Sequence, residues 1–212
     1  MNTTITTIET DDISRTYTYA QYRALIDALL ADGKTTSGEQ TAETLDYAKL
    51  NVQRMNRLDK TVVIGEPLRR AVEAISLPQQ WLIISEGWCG DAAQNIPMIA
   101  KAAALNPLVT LQLILRDEHL EVMDRFLTNG TRSIPILVIA DGETHEVLGT
   151  WGPRPAPAKV LVAEVKRNPQ ASREDMLTVL HGWYAKDQTA SAQRELAAVL
   201  QHAHMNLQQQ PQ

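Results

Sequence analysis

The chain has 212 residues, a formal net charge of −5 and 44% apolar residues, which suits one globular domain with helical additions and a buried core. The negative balance argues against nucleic acid or an anionic membrane as a partner, and a single cysteine excludes an intramolecular disulfide. No apolar run nears the roughly 18 residues that span a bilayer. Residues 1–12 lack the basic start and apolar stretch of a signal peptide, so a cytoplasmic protein is expected.

Residues 1–14 show no period and are expected to form a loose arm, whereas Thr18 with Gln21 reads as a capping box. It opens a helix with Tyr22, Leu25, Ile26, Leu29 and Leu30 on one side, ended by Asp32-Gly33. Thr36 with Glu39 and Ser37 with Gln40 form overlapping capping boxes ahead of the next helix. Its apolar face is Ala42, Leu45, Ala48, Val52, Met55 and Leu58, and its other face carries Arg54, Arg57 and Lys60. Such a face is ordinarily solvated, with reception of an anionic ligand as the alternative. A short helix over 67–75 begins with proline near its first turn.

Residues 81–84 form an apolar run typical of a short buried strand, after which Glu86-Gly87 breaks the pattern and a helix begins near Gly90. A second strand spans 109–115, and Asp117 is a cap for a helix facing inward with Leu120, Met123, Phe126 and Leu127, stopped by Asn129-Gly130. A third strand over 135–140 leads through Asp141-Gly142, a two-residue hairpin signal, to a fourth over 146–148. Residues 151–155 make a stiff connector to a helix over 157–167. The order β-α-β-α-β-β-α implies a mixed α/β sheet with helices on both faces. Ser172 then caps a helix with Met176, Val179, Leu180, Trp183 and Tyr184 inward, and a last helix over 190–204 carries Leu196, Val199, Leu200 and Ala203. From Gln208 the chain is expected to fray.

Cys89 stands where a strand ends and a helix begins. Unpaired backbone N–H groups and the positive end of the helix dipole stabilise a thiolate there. A lone cysteine is equally often a small buried hydrophobe, and placement alone leaves both readings open. The histidines offer no competing site. His202 and His204 lack the spacing and carboxylate partners of a metal centre, and His119, His145 and His181 are scattered and read as structural. Neither a metal nor a cofactor is expected.

Residues 81–152 resemble the thioredoxin superfamily. Trp88-Cys89-Gly90 matches the family's approach to its nucleophile, and Pro97 matches the proline that kinks its active-site helix. Residues 131–135, ending Ile134-Pro135, are similar to the loop that carries its cis-proline, and Gly152 matches a glycine after the last strand. The resemblance covers about a third of the chain. It implies a thioredoxin-like three-layer fold over 77–168, with helical extensions over 1–76 and 169–212. Residues 35–38, 51–60 and 151–154 also resemble a bacterial group of thioredoxin-like proteins with Trp-Cys-Gly-Asp-Ala-Ala-Gln in place of the dithiol motif.

The departures from the family pattern limit the chemistry. Ala92 stands where the resolving thiol belongs, and Ile83 where thioredoxins bury an acidic proton relay. Without a second cysteine the monomer has no internal dithiol–disulfide couple. The resemblance therefore implies monothiol exchange through Cys89, by mixed disulfide with a low-molecular-weight thiol such as glutathione or with a client protein. Trp88, Gly90, Asp91, Ile134, Pro135 and Trp151 are the expected substrate-binding residues, with Ile134 offering backbone groups to a substrate strand. The alternative is a redox-inactive binding or scaffold protein that uses the groove beside Pro135. Peroxidase chemistry fits less well, because the Thr-x-x-Cys pattern is not seen around Cys89, and iron–sulfur binding lacks its motif and would find one protein ligand per chain.

Overall fold

A computed structural model of the chain describes residues 7–8 and 13–209. Helices α1 (Tyr19–Ala31), α2 (Ala42–Thr61) and α3 (Glu66–Glu73) precede β1 (Gln79–Ser85), α4 (Gly90–Ala103), β2 (Val109–Leu115) and α5 (Leu120–Met123). The chain continues through the hairpin of β3 (Ile136–Asp141) and β4 (Val147–Trp151) to α6 (Ala156–Arg167), α7 (Arg173–Asp187) and α8 (Ala190–Gln209).

The sheet runs β2-β1-β3-β4, with β1 parallel to β2 and antiparallel to β3, and β3 antiparallel to β4. Ile83 stands opposite both Leu113 and Leu137, so β1 is central. Trp81, Leu82, Ile83 and Ile84 are at most 1% exposed, which is why β1 is continuously apolar rather than alternating. The mixed sheet with flanking helices is the expected thioredoxin-like architecture.

One hydrophobic cluster joins the sheet to α1, α2, α3, α4 and α8. The helix that covers β4 is α8, not α6: Leu196 and Leu200 are buried, and Gly149 leaves room for Val199. α6 instead pairs with α7 around a separate small cluster of Ala158, Val162, Leu180 and Tyr184. That hairpin stands beside the N-terminus of α4, and this detour shapes the site.

Several local expectations give way to tertiary contacts. The cap of α2 is Thr41 with Thr44, not Thr36 or Ser37, because the Thr36 hydroxyl is committed to Glu86. α5 closes after four residues with no side-chain cap. Asp117 pairs with Arg116, Leu120 and Leu127 are exposed, and Asn129-Gly130 turns the chain into a Thr128–Thr131 bridge. The β3–β4 connection is longer than a two-residue turn. Asp141 Oδ1 accepts from the N–H groups of Glu143 and Thr144 at 2.8 and 2.7 Å, and Gly142 is required because a Cβ would meet Pro78 at 2.7 Å. Val179 is 41% exposed rather than inward. Within the N-terminal arm, Ile8 is buried and its N–H donates to His145 O at 2.8 Å, so the arm is anchored there. Residues 1–6, 9–12 and 210–212, with the end of the expected frayed tail, lie outside the described residues.

Candidate functional site

Cys89 is the N-cap of α4, with φ −78° and ψ 116°. It comes at the end of the short β1–α4 turn, where its N–H donates to Glu86 O at 3.1 Å. Its Sγ–H donates to Ile134 O at 3.3 Å, and the Ile134–Pro135 peptide is cis. Burial and the Asp91 carboxylate raise the thiol pKa, while the N–H groups of Ala92 and Asp91 and the Arg154 guanidinium lower it. Burial prevails and pushes Cys89 up to about 12. The resting group is therefore a thiol, held against a carbonyl, despite its helix-terminal position.

Cys89 lies against a cleft of about 930 Å³, within the range of small-molecule pockets, roughly 300–1,000 Å³. α2 contributes Tyr47 and Arg54 to the walls, α7 contributes Met176 and His181, and the loop before β3 contributes Ser133 and Ile134. Five arginines line the cleft. Arg116 pairs with Asp117, Arg132 with Asp124, Arg154 with Asp91, and Arg173 with Glu43. Arg54 has no carboxylate partner among the described residues, and its Nη1 donates only to Asn51 Oδ1 at 2.7 Å. Asn51 in turn donates to Gly87 O at 3.0 Å and so ties α2 to the Cys89 turn.

The α6–α7 hairpin reaches this site through Asp91. Tyr184 Oη donates to Asp91 Oδ1 at 2.6 Å, Arg154 Nη2 donates to Oδ2, and Asn95 Nδ2 donates to Asp91 O and Tyr184 Oη at 2.7 and 3.2 Å. His181 lies on Gly90, where a Cβ would meet its Cε1 at 2.9 Å. A side chain at position 90 would displace the imidazole. Burial, with Arg54 and Arg154 nearby, lowers the His181 pKa to about 4, so the ring is neutral at pH 7.

Glu86 is fully buried three residues before Cys89. One of its carboxylate oxygens accepts from the Thr36 hydroxyl, and the other from Asp117 N at 3.0 Å. The same Thr36 oxygen accepts from Gly87 N at 2.9 Å. Burial outweighs these hydrogen bonds and raises the Glu86 pKa to about 7. The position of the family's relay acid holds Ile83, yet a buried carboxyl lies close by on the β1–α4 turn.

Trp88, Gly90, Asp91 and Ile134 line the cleft together with Cys89, and the Arg116 guanidinium lies 5.0 Å from the Trp88 ring centre. Two expected residues do not line it. Pro135 lies behind Ile134, and its carbonyl would be 2.2 Å from a Cβ at Gly152, whose φ is +134°. Trp151 points instead toward α8: Nε1 donates to Glu195 Oε2 at 2.9 Å, and the ring joins the main core. Sequence reasoning missed His181, Tyr184 and Glu86. The first two are contributed by a helix some ninety residues beyond Cys89, with no local pattern to mark them. Glu86 was legible as a break in an apolar run and as a carboxylate near Cys89 in the sequence, but nothing local marked its burial.

A family model described as thioredoxin matches residues 38–166. A crystal structure of a Pseudomonas aeruginosa protein of unknown function has a similar fold, with TM-score 0.52 and 20% identity, over 88% of this chain and 99% of that one. A crystal structure of an HIV epitope-scaffold has TM-score 0.50 and 17% identity, over 87% and 98% of the two chains. At these identities the likeness shows the fold alone. No curated protein matches the chain. Among the described residues no cluster of three potential metal ligands occurs, and no helix is long and apolar enough to cross a membrane.

Proposed function

The chain belongs to the thioredoxin family, and on that premise we propose that it carries out monothiol thiol–disulfide exchange through Cys89. The Cys89 sulfur attacks one sulfur of a disulfide RSSR. A bond forms between Sγ and that sulfur, the R–S–S–R bond breaks, and the Cys89 proton leaves with the departing group as RSH. A different small thiol, R′SH, then attacks the R-group sulfur of the mixed disulfide, its proton passes to Sγ, and the Cys89 thiol is restored as RSSR′ is released. This external thiol takes the role that Ala92 cannot fill.

The observation that carries this reading is the placement of Cys89 at the start of α4, 3.3 Å from the carbonyl before cis-Pro135, against an open cleft. A reducing, cytoplasmic setting fits a chain with one cysteine and supplies small thiols.

The thiol pKa of about 12 makes exchange slow near neutrality. Below that pKa the thiolate fraction, and with it the exchange rate, grows about tenfold per pH unit. Incubation with oxidised glutathione from pH 6 to pH 9, read by intact mass, is expected to give one glutathionyl adduct that forms fastest at pH 9. Absence of the adduct across that range, with the fold intact, would falsify exchange. The buried, protonated thiol favours a second reading, ligand binding without redox turnover, under which Cys89→Ser keeps full activity.

A further inference from the structure

We infer that the cleft beside Cys89 is built for a small, carboxylate-bearing thiol or disulfide, with Arg54 as the group that holds its carboxylate. This deepens the exchange reading and rests on it for the chemistry, but not for the binding. Four of the five cleft arginines have their charge answered by Asp117, Asp124, Asp91 or Glu43. The charge of Arg54 is left unanswered: its one hydrogen bond is to the neutral Asn51 amide. Arg54 is partly buried, and its Nη1 lies 3.6 Å from where a Gly90 Cβ would be, beside the residue that follows Cys89.

The surroundings raise the demand for an anion there. Arg57 adds like charge next to Arg54, and together Arg54 and Arg154 help keep His181 neutral. The unpaired carboxylate on the cleft lining, Glu39, is an exposed residue of the loop before α2, where solvent screens it. A planar guanidinium without a carboxylate partner suits bidentate binding of a carboxylate. The walls also favour a small ligand over a polypeptide. Cys89 is 7% exposed, and α2 and α7 both line the cleft with the loop before β3, so a ligand that reaches the sulfur sits between these three elements.

Two measurements on the full chain test this. The first compares formation of the Cys89 mixed disulfide with oxidised glutathione, neutral hydroxyethyl disulfide and cationic cystamine. Wild type is expected to favour the anionic disulfide. Arg54→Gln should slow that reaction by about tenfold or more, the weight of one charge-assisted contact, and slow hydroxyethyl disulfide markedly less, so that the preference for the anionic disulfide is lost, and Arg54→Lys should recover part of it. The second is calorimetric titration with S-methylglutathione, a thioether that cannot exchange. Binding that weakens by a similar factor in Arg54→Gln supports the site even if Cys89 proves inert to every disulfide. Equal rates for all three disulfides, or S-methylglutathione binding that is absent or indifferent to Arg54, overturns it. Reaction with a protein disulfide but none of the small ones also overturns it and moves the substrate to a client protein.

Discussion

At the residue scale, the site holds two groups whose protonation is set by burial rather than by their partners. Glu86 has a folded pKa of about 7 against an ordinary 4.5, so the folded state binds the additional proton between those values. Its contribution to stability is therefore greatest below about 4.5 and falls as pH rises toward 7, by at most about 3 kcal/mol. Glu86→Gln keeps the shape and loses the charge. Relative to wild type it should gain roughly 2–3 kcal/mol of unfolding free energy between pH 5 and pH 8, measured by urea denaturation. A pH-independent difference would mean that the carboxyl titrates normally. Cys89 obeys the same logic with a different consequence. The helix-terminal N–H groups stabilise its thiolate, but not enough to offset loss of solvent, so position at a helix start does not by itself make a reactive sulfur.

At the scale of elements, the α6–α7 hairpin has a small hydrophobic cluster of its own, apart from the main core. It meets the core beside Cys89 through the polar contacts of Asp91 with Arg154 and Tyr184. Small clusters open at lower free energy than a central sheet. Amide hydrogen exchange is therefore expected to be faster in α6 and α7 than in β1 and β3. Tyr184→Phe removes the bond to Asp91, worth about 1–2 kcal/mol. It should accelerate hairpin exchange and Cys89 alkylation together by roughly 5- to 30-fold, leaving β1 unchanged. A uniform acceleration through all elements would show that the hairpin unfolds only with the whole domain.

At the scale of the molecule, the chain closes on itself through α8, which returns from the hairpin to cover β4. Leu196 and Leu200 are buried there, each worth roughly 1.5–3 kcal/mol relative to exposure. The fit depends on Gly149, where a Cβ would lie 2.8 Å from Val199 Cγ1. Gly149→Ala is expected to cost about 1–3 kcal/mol by overpacking. In the Gly149→Ala/Val199→Ala double variant the loss should be smaller than the sum of the singles. Additive losses in denaturant titrations would place the strain elsewhere.

Strand β2, the start of α4, the capping box of α1 and the N-cap of α7 were legible in the sequence because each is set by neighbours within a few residues: Val109–Leu115 by its apolar run, α1 by Thr18 with Gln21, and α7 by Ser172. The Cys89 turn and the loop ending at Pro135 were legible for the same reason. Competition between distant groups was not. Thr36 left its capping role for a carboxyl fifty residues away, and Trp151 turned from the cleft to Glu195. The helix that covers β4 came after an intervening hairpin, and that hairpin carried His181 and Tyr184 to Gly90 and Asp91. Sequence alone determined a thioredoxin-like core with one thiol at a helix start. Only the tertiary structure decided that this thiol is buried, protonated and flanked by an arginine without a carboxylate partner, because burial and electrostatic pairing are set by side chains far apart in the chain.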